Sequence, residues 1–600
     1  MLVLLASTFA VASVRASGSS TGLESLTAMS YRGTTTITDS TTTDSSIGSG
    51  TTLENSPAPD LAQLAPNNGL GSSKVPSAHV PTPSGNSLAK SNPGFFGFNG
   101  LTHRDQRLAG TGSYVNTQFS LEPPDQGLCA SSNFLVETVN TALAVYSSAG
   151  ARLKGPTAIN QFFGLKPEVI RASPPVFGDF ASDPRCYHDP TTDAWYFTVL
   201  QIDTNPSTGA FGPRSHLELA VSTTGDPAGV WNLFELDVTD DGAGGTPSHA
   251  GCPCFGDQPL IGADANGFYV STNEFSISLL NGQGGTYVGA QLYAMSKTIL
   301  AAGALPTVVQ INAAGTLSSF GGIDFSVQPS TTPPGGSYAT NTEFLLSTPD
   351  ILNLLTNRLA LWALTGTSSL NSATPNLTLT VTIVGSEVYG VPPNSEQKDG
   401  FRPLGTVVIP ALGGNPGKLE LLQTNDHRMQ QLVYADGKLW SAVTTAVAFK
   451  NSPIQAGIAF FILSPSLAGG TLTGSMVKQG YVAVVGESVF FPSIGVNSAG
   501  KGVMTFTLAG PDFFPSAAYT TIDAVNGAGA IHTAAPGALP EDGFTGYLFF
   551  GASNRAARWG DYSAAVAAPN GSIWLAVEYI PNLQRTQNAN WGTFISNVTQ

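Results

Sequence analysis

The chain is short of charge, of cysteine and of helical periodicity. Only 11% of its 600 residues are charged, against roughly a quarter in a typical soluble domain. Acidic residues outnumber basic ones, 40 to 25, for a formal net charge of −15. No stripe of clustered Lys and Arg is present, so a nucleic-acid partner is not expected. Beyond the N-terminus no apolar run approaches the ~20 residues of a membrane span. The G-x-S-x-G elbow, the H-E-x-x-H zinc motif and the phosphate-binding G-x-x-x-x-G-K-[ST] loop are all missing. These absences leave no ready hydrolase triad, metalloprotease or nucleotide site.

What is present is glycine (67), proline (41) and a 42% apolar fraction. That mixture suits many short strands joined by tight turns around a large core. The chain starts with an apolar run, MLVLLASTFAVASV, followed by Arg15 and Ala16. Residues 1–16 are therefore read as a signal peptide, although a basic leading region is lacking. Residues 17–94 are rich in Ser, Thr, Pro, Asn and Gly, and are read as a disordered linker. The folded part is expected over 95–600.

A turn-then-strand signature recurs through that part. It appears as SSNFLVETVN (131–140), TTDAWYFTVLQ (191–201), DANGFYVSTNEF (264–275), ATNTEFLLST (339–348), YADGKLWSAVTT (434–445), NSAGKGVMTFTL (497–508) and APNGSIWLAVEY (568–579). A second apolar strand ending in Ser or Thr follows most copies, for example LELAVS (217–222) and IAFFILS (458–464). Repeats of this size, with about four strands each, predict a single all-β propeller. Seven blades are favoured, and six is the alternative because the sixth copy is weak. Thr348–Arg358 is the best local helix. The strand near Trp591–Asn597 is expected to close the ring against a strand around Gly112–Leu121.

In such a fold the innermost strand of each blade lines the axis. Polar residues cluster where these strands begin, in DPRCYHD (183–189), GDQPLIGAD (256–264), DHRMQQLVYAD (426–436) and RWGDYSAAVAA (558–568). Asp183, Asp257 and Asp561 are candidate acids and Tyr562 a candidate assisted nucleophile, as glycoside hydrolysis needs paired groups. Arg185, Arg428 and Arg558, with Gln258, are candidate ligand-binding residues, since guanidinium grips carboxylate in a bidentate fork. The alternative is that these groups pair with one another and lock blade to blade.

Asp237-Val238-Thr239-Asp240-Asp241-Gly242 resembles a loop that wraps calcium, with Asp237, Asp240 and Asp241 as weak metal candidates. No other cofactor is expected. His249, Cys252 and Cys254, with His188, offer zinc or copper donors, but the C-x-C spacing departs from a zinc knuckle. Disulfides are expected instead for Cys129, Cys186, Cys252 and Cys254. Three pairings are open. Cys252 and Cys254 look too close to bridge each other, so each is expected to reach Cys129 or Cys186 and tie the first three repeats together.

The segments FNGLTHRDQR (98–107), EPPDQGLC (122–129), SDPRCYHDPTTDAWYF (182–197), CPCFGDQPLIGADANGFYVSTNEF (252–275) and RWGDYSAAV (558–566) resemble a group of large secreted bacterial β-propeller proteins with sialidase-like repeats. The likeness spans nearly all of 95–600. It implies a propeller and export, and carries no assigned catalytic residue. The S-x-D-x-G-x-T-W box of sialidases is absent. The expectation is a secreted or cell-surface monomer that binds an extracellular glycan or protein. The alternative is a glycoside hydrolase or lyase.

Overall fold

The computed structural model describes residues 18–19, 23–27, 29–39, 80–277, 285–405, 421–547 and 556–600, with backbone only for 18–27. The expected signal peptide and the stretch 40–79 lie outside the described residues.

Seven antiparallel sheets form seven blades. Their innermost strands are, in order, Gly127–Ala130, Phe180–Asp189, Cys254–Ala263, Gln328–Pro329, Val433–Ala435, Ser488–Val496 and Ala564–Ala567. The recurring turn is the hinge between the first and second strands. In blade 3 it is Asp264 to Gly267, where Asp264 accepts from the backbone of Asn266 (2.8 Å) and Gly267 (2.6 Å). An Asx turn of this kind replaces the missing ladder bonds, and it explains Asp or Asn at this point in several copies. The weak sixth copy is a complete four-stranded blade, which excludes the six-bladed alternative.

The blades pack face to face, and an apolar core fills each gap. Blades 2 and 3 meet through Tyr196, Phe234, Phe268 and Tyr293, and blades 7 and 1 through Leu128, Leu135, Trp574 and Ile595. Second strands of six to eleven residues, alternating between two such gaps, must be apolar on both faces. That is why the second strands read as nearly continuous hydrophobic runs.

Ring closure differs from expectation. The closing strand is Phe95–Thr102, which pairs with Gly592–Val598 as the outermost strand of blade 7. Gly112–Tyr114 is only a single 3-10 turn. The aromatic run FFGFNGLT supplies the strand propensity that GTGSYVNT lacks. The expected helix at Thr348–Arg358 is likewise absent. Pro349 and Asp350 form a turn, and Leu355–Thr365 is the third strand of blade 4.

Parts of the stretch read as a linker lie on the propeller. Met29–Thr36, Leu23–Thr27 and Gly18–Ser19 add a fifth, outer strand to blades 2, 3 and 4 respectively. They cover edges whose amides would otherwise face water unpaired. Residues 80–92 run across blades 5 and 6, with Asn86 N donating to Ala483 O and Ala89 N to Ile531 O, both at 2.7 Å.

The disulfides also correct the expectation. Cys129 bridges Cys186, joining the inner strands of blades 1 and 2, and Cys252 bridges Cys254. The turn at Pro253 sets the Cα atoms of the second pair 4.5 Å apart, inside bridging range. Blade 3 is therefore not stapled to its predecessors.

Candidate functional site

One backbone device recurs where the inner strands begin. A non-glycine residue with positive φ stands there in six blades: Asp125 (49°), Asp183 (56°), Gln258 (51°), Ser326 (48°), Asn425 (53°) and Phe491 (54°). In blades 2, 3 and 6 it sits in a break of strand register, between Ser182 and Arg185, Asp257 and Leu260, and Phe490 and Ser493. A bulge of this kind kinks the strand and re-aims its side chains. Asp and Asn tolerate the left-handed conformation best among non-glycine residues, which fits their use here.

The result is a polar ring on the axis. Asn140 Nδ2 donates to Asp125 at 2.7 Å, and its Oδ1 accepts from Asp183 N at 2.9 Å. Asp125 also accepts from the backbone of Asp561 at 2.9 Å. Asp561 takes a hydrogen bond from Asn425 (3.1 Å) and an ion pair from Arg558 (2.7 Å). Asp183 accepts from Gln258 N at 3.1 Å. The Gln258 amide in turn receives Arg428 Nη1 at 2.9 Å and donates to Gln430 at 3.0 Å. Arg428 grips both oxygens of Asp426, at 2.8 and 2.7 Å. Five blades, 1, 2, 3, 5 and 7, thus contribute to one hydrogen-bonded ring.

Two groups stand apart from this mutual engagement. The Asp257 carboxyl is half-buried and accepts no hydrogen bond among the described residues. The Arg185 guanidinium lies 3.3 Å above the Tyr562 ring, and its Nε and Nη2 find no partner among the described residues. Tyr562 is buried and turns its hydroxyl to Pro184 O at 3.2 Å, so it serves as a platform for Arg185. Arg185 also lines the axial channel, which encloses about 100 Å³ and is walled by one stretch from each blade, including Leu128, Ile261, Val433 and Ala565.

The electrostatics follow from crowding. Burial, with Asp183 nearby, pushes Asp257 up to about 8. Burial and Asp561 push Asp183 up to about 6. Asp125 is raised by burial and by the same neighbours. Asp426 goes the other way: burial opposes its charge, but the Arg428 guanidinium prevails and holds it below the usual carboxylate range.

Sequence reading named most of this ring: Asp183, Asp257, Asp561, Arg185, Arg428, Arg558, Gln258 and Tyr562 all converge. It missed Asp125, Asn140 and Asn425. Asp125 had a legible signal, because Pro124-Asp125-Gln126 repeats the Asp-Gln pair of Gly256-Asp257-Gln258. The three arginines do not form a clamp: Arg428 and Arg558 are engaged by Asp426 and Asp561.

The acidic loop does not wrap a cation with its own carboxylates. Asp237 and Asp241 face Arg214, at 3.2 and 3.5 Å, while Asp240 turns inward to His249 at 3.3 Å. His188 is not near them; it pairs with Asp193 at 3.0 Å and packs on Trp195.

No family model and no curated protein matches the sequence. Solved structures to which the chain is similar include a protein of unknown function from Dyadobacter fermentans. It shares 10% identity, with 70% of this chain and 95% of that chain covered, at a TM-score of 0.31. An apocarotenoid oxygenase from Synechocystis shares 11% identity over 73% of this chain and 78% of that chain, at a TM-score of 0.32. An exo-β-1,3-galactanase from Clostridium thermocellum shares 8% identity over 84% and 97%, at a TM-score of 0.27. Scores this low carry no argument about function, and the seven-bladed assignment rests on the sheet topology alone.

Proposed function

We propose that the protein is an extracellular binding module that presents the axial ring to a glycan. The observation that carries this reading is the division of labour in the ring. Asp125, Asp183, Asp426 and Asp561 already hold hydrogen bonds within the ring, which leaves Asp257 and Arg185 as groups with spare hydrogen-bonding capacity among the described residues. A carboxyl and a guanidinium with open hydrogen-bonding positions suit a polar ligand rich in hydroxyl or carboxylate oxygens. Engaged carboxylates are poor general bases, because their lone pairs are already committed. The two disulfides, and the lack among the described residues of a helix long and apolar enough to cross a membrane, are compatible with an extracellular location. The chain closes its own ring, consistent with action as a monomer.

A second reading has its own support. Asp183 and Asp257, raised to about 6 and about 8, hold protons in the range where a general acid works. A glycoside hydrolase would use Asp257 as acid and Asp183 or Asp561 as its partner. The two readings separate in one experiment: the full chain on a glycan array beside a panel of chromogenic glycosides. Saturable binding without chromophore release is the expected result. Turnover that Asp561→Asn abolishes in a folded protein would establish the hydrolase.

A further inference from the structure

A second polar cluster lies one strand outward from the axial ring, where Glu274 pairs in register with Gly256. It joins the loop before blade 3 to that blade's sheet. His249 Nδ1 stands 3.3 Å from Asp240 Oδ2 and 3.2 Å from Glu274 Oε2. The Asp240 and Glu274 side chains are fully buried, and His249 is nearly so. We propose that Asp240, His249 and Glu274 form a binding site for a divalent transition-metal ion of the zinc class.

The spacing is the first reason. Zinc sits about 2.0 Å from imidazole nitrogen and carboxylate oxygen, so neighbouring donors around a tetrahedral ion lie roughly 3.3 Å apart. Both measured separations match that edge. The donor set, one imidazole and two carboxylates, is the second reason, since both donor types bind zinc and three protein ligands leave a fourth position open. The third is a buried oxygen beside the cluster: Asp240 Oδ1 has no hydrogen-bond partner among the described residues, although the residue is wholly buried.

The surroundings resemble the outer support of a metal centre. Gln310 donates to Asp240 Oδ2 at 2.7 Å and Gln291 to Glu274 Oε2 at 3.0 Å. These amides fix the orientation of the carboxylates, as outer partners of metal ligands do. The backbone shapes the loop to the same end. Asp240 has φ of 51°, and its carbonyl accepts from His249 N at 2.9 Å. The sulfur of Cys252 falls within 4.8 Å of the donor atoms of His249 and Glu274. The Cys252–Cys254 bridge therefore lies beside the cluster.

The test uses the full chain, stripped with a chelator and then titrated with Zn²⁺ by calorimetry and with Co²⁺ by visible absorption. One equivalent of metal is expected, with a rise in melting temperature and the intense absorption of low-symmetry four- or five-coordinate cobalt. His249→Gln and, separately, Glu274→Gln are near-isosteric and are expected to abolish that cobalt spectrum. Gln310→Ala, which alters a positioning residue only, should weaken binding roughly 10- to 100-fold. Failure of the stripped wild-type protein to bind either metal overturns the proposal. So does a cobalt spectrum that survives unchanged in whichever of the two ligand variants folds. Glycan binding is read separately on the array, so loss of one result leaves the other intact.

Discussion

Blades 3 and 6 begin their inner strands with the same backbone and opposite chemistry. In blade 3 the left-handed residue is Gln258, preceded by Asp257, and the register breaks between Asp257 and Leu260. In blade 6 it is Phe491, preceded by Phe490, and the break runs from Phe490 to Ser493. Gln258 joins the hydrogen-bonded ring, whereas Phe490 and Phe491 sink into the apolar core beneath blades 6, 7 and 1. The bulge, shared by blades 2, 3 and 6, is therefore a device of the fold that re-aims an inner strand. What the turned side chain does is decided blade by blade. A polar side chain contributes to a site, and an aromatic one anchors the blade.

That contrast can be broken at either end. The largest effect is expected at the anchors. Phe491→Ala should cost about 3–5 kcal/mol of unfolding free energy, the usual range for deleting a buried phenylalanine. Measured by urea denaturation, this loss should come with unaltered glycan affinity in the protein that remains folded. Arg428→Met should cost about as much, roughly 3–5 kcal/mol, because it leaves the Asp426 carboxylate buried without its partner. Unlike the phenylalanine change, it should also weaken ligand binding by loosening Gln258.

A smaller effect is expected at Gln258→Ala. It strips partners from Arg428 and Gln430, for about 1–3 kcal/mol, and should remove most binding. Smallest is Asp257→Asn, expected to change stability by no more than about 0.5 kcal/mol below about pH 4, where the carboxyl is protonated in the folded and the unfolded chain alike, since it removes no hydrogen bond of the folded chain. Its signature is the pH profile. A carboxyl raised to about 8 in the folded state titrates near 4 when unfolded. Between those values the folded chain holds the extra proton, so stability falls as pH rises from about 4 to about 8. Asp257→Asn should flatten part of that fall.

The sequence made the blades legible because each carries its own turn and its own apolar strands. The blades could be read from the turn-then-strand copies, with six left as the alternative to seven, and most of the axial ring from GDQP, DPRCYH, DHRMQ and RWGDY. Closure was not legible, because strand pairing between residues 95–102 and 592–598 is a contact across nearly the whole domain. Local composition reports propensity and not partners. The disulfides failed for a related reason: a two-residue separation looks too short until the turn at Pro253 is known. Asp125 was missed because it precedes its short inner strand, Gly127–Ala130, instead of lying within it. Asp240 was grouped with Asp237 and Asp241 by spacing, yet its positive φ turns it to the opposite side of the loop.

The central claim is that Asp257 is the carboxyl that meets the ligand. The most direct test is calorimetric titration of the full chain, at pH 6 and pH 9, with the oligosaccharide that the array ranks first. Asp257 is neutral at the lower pH, where it can donate a hydrogen bond, and is charged at the higher. Affinity should fall between the two in the wild-type protein and stay level in Asp257→Asn. An equal fall in both proteins, or none in the wild type, would contradict the assignment.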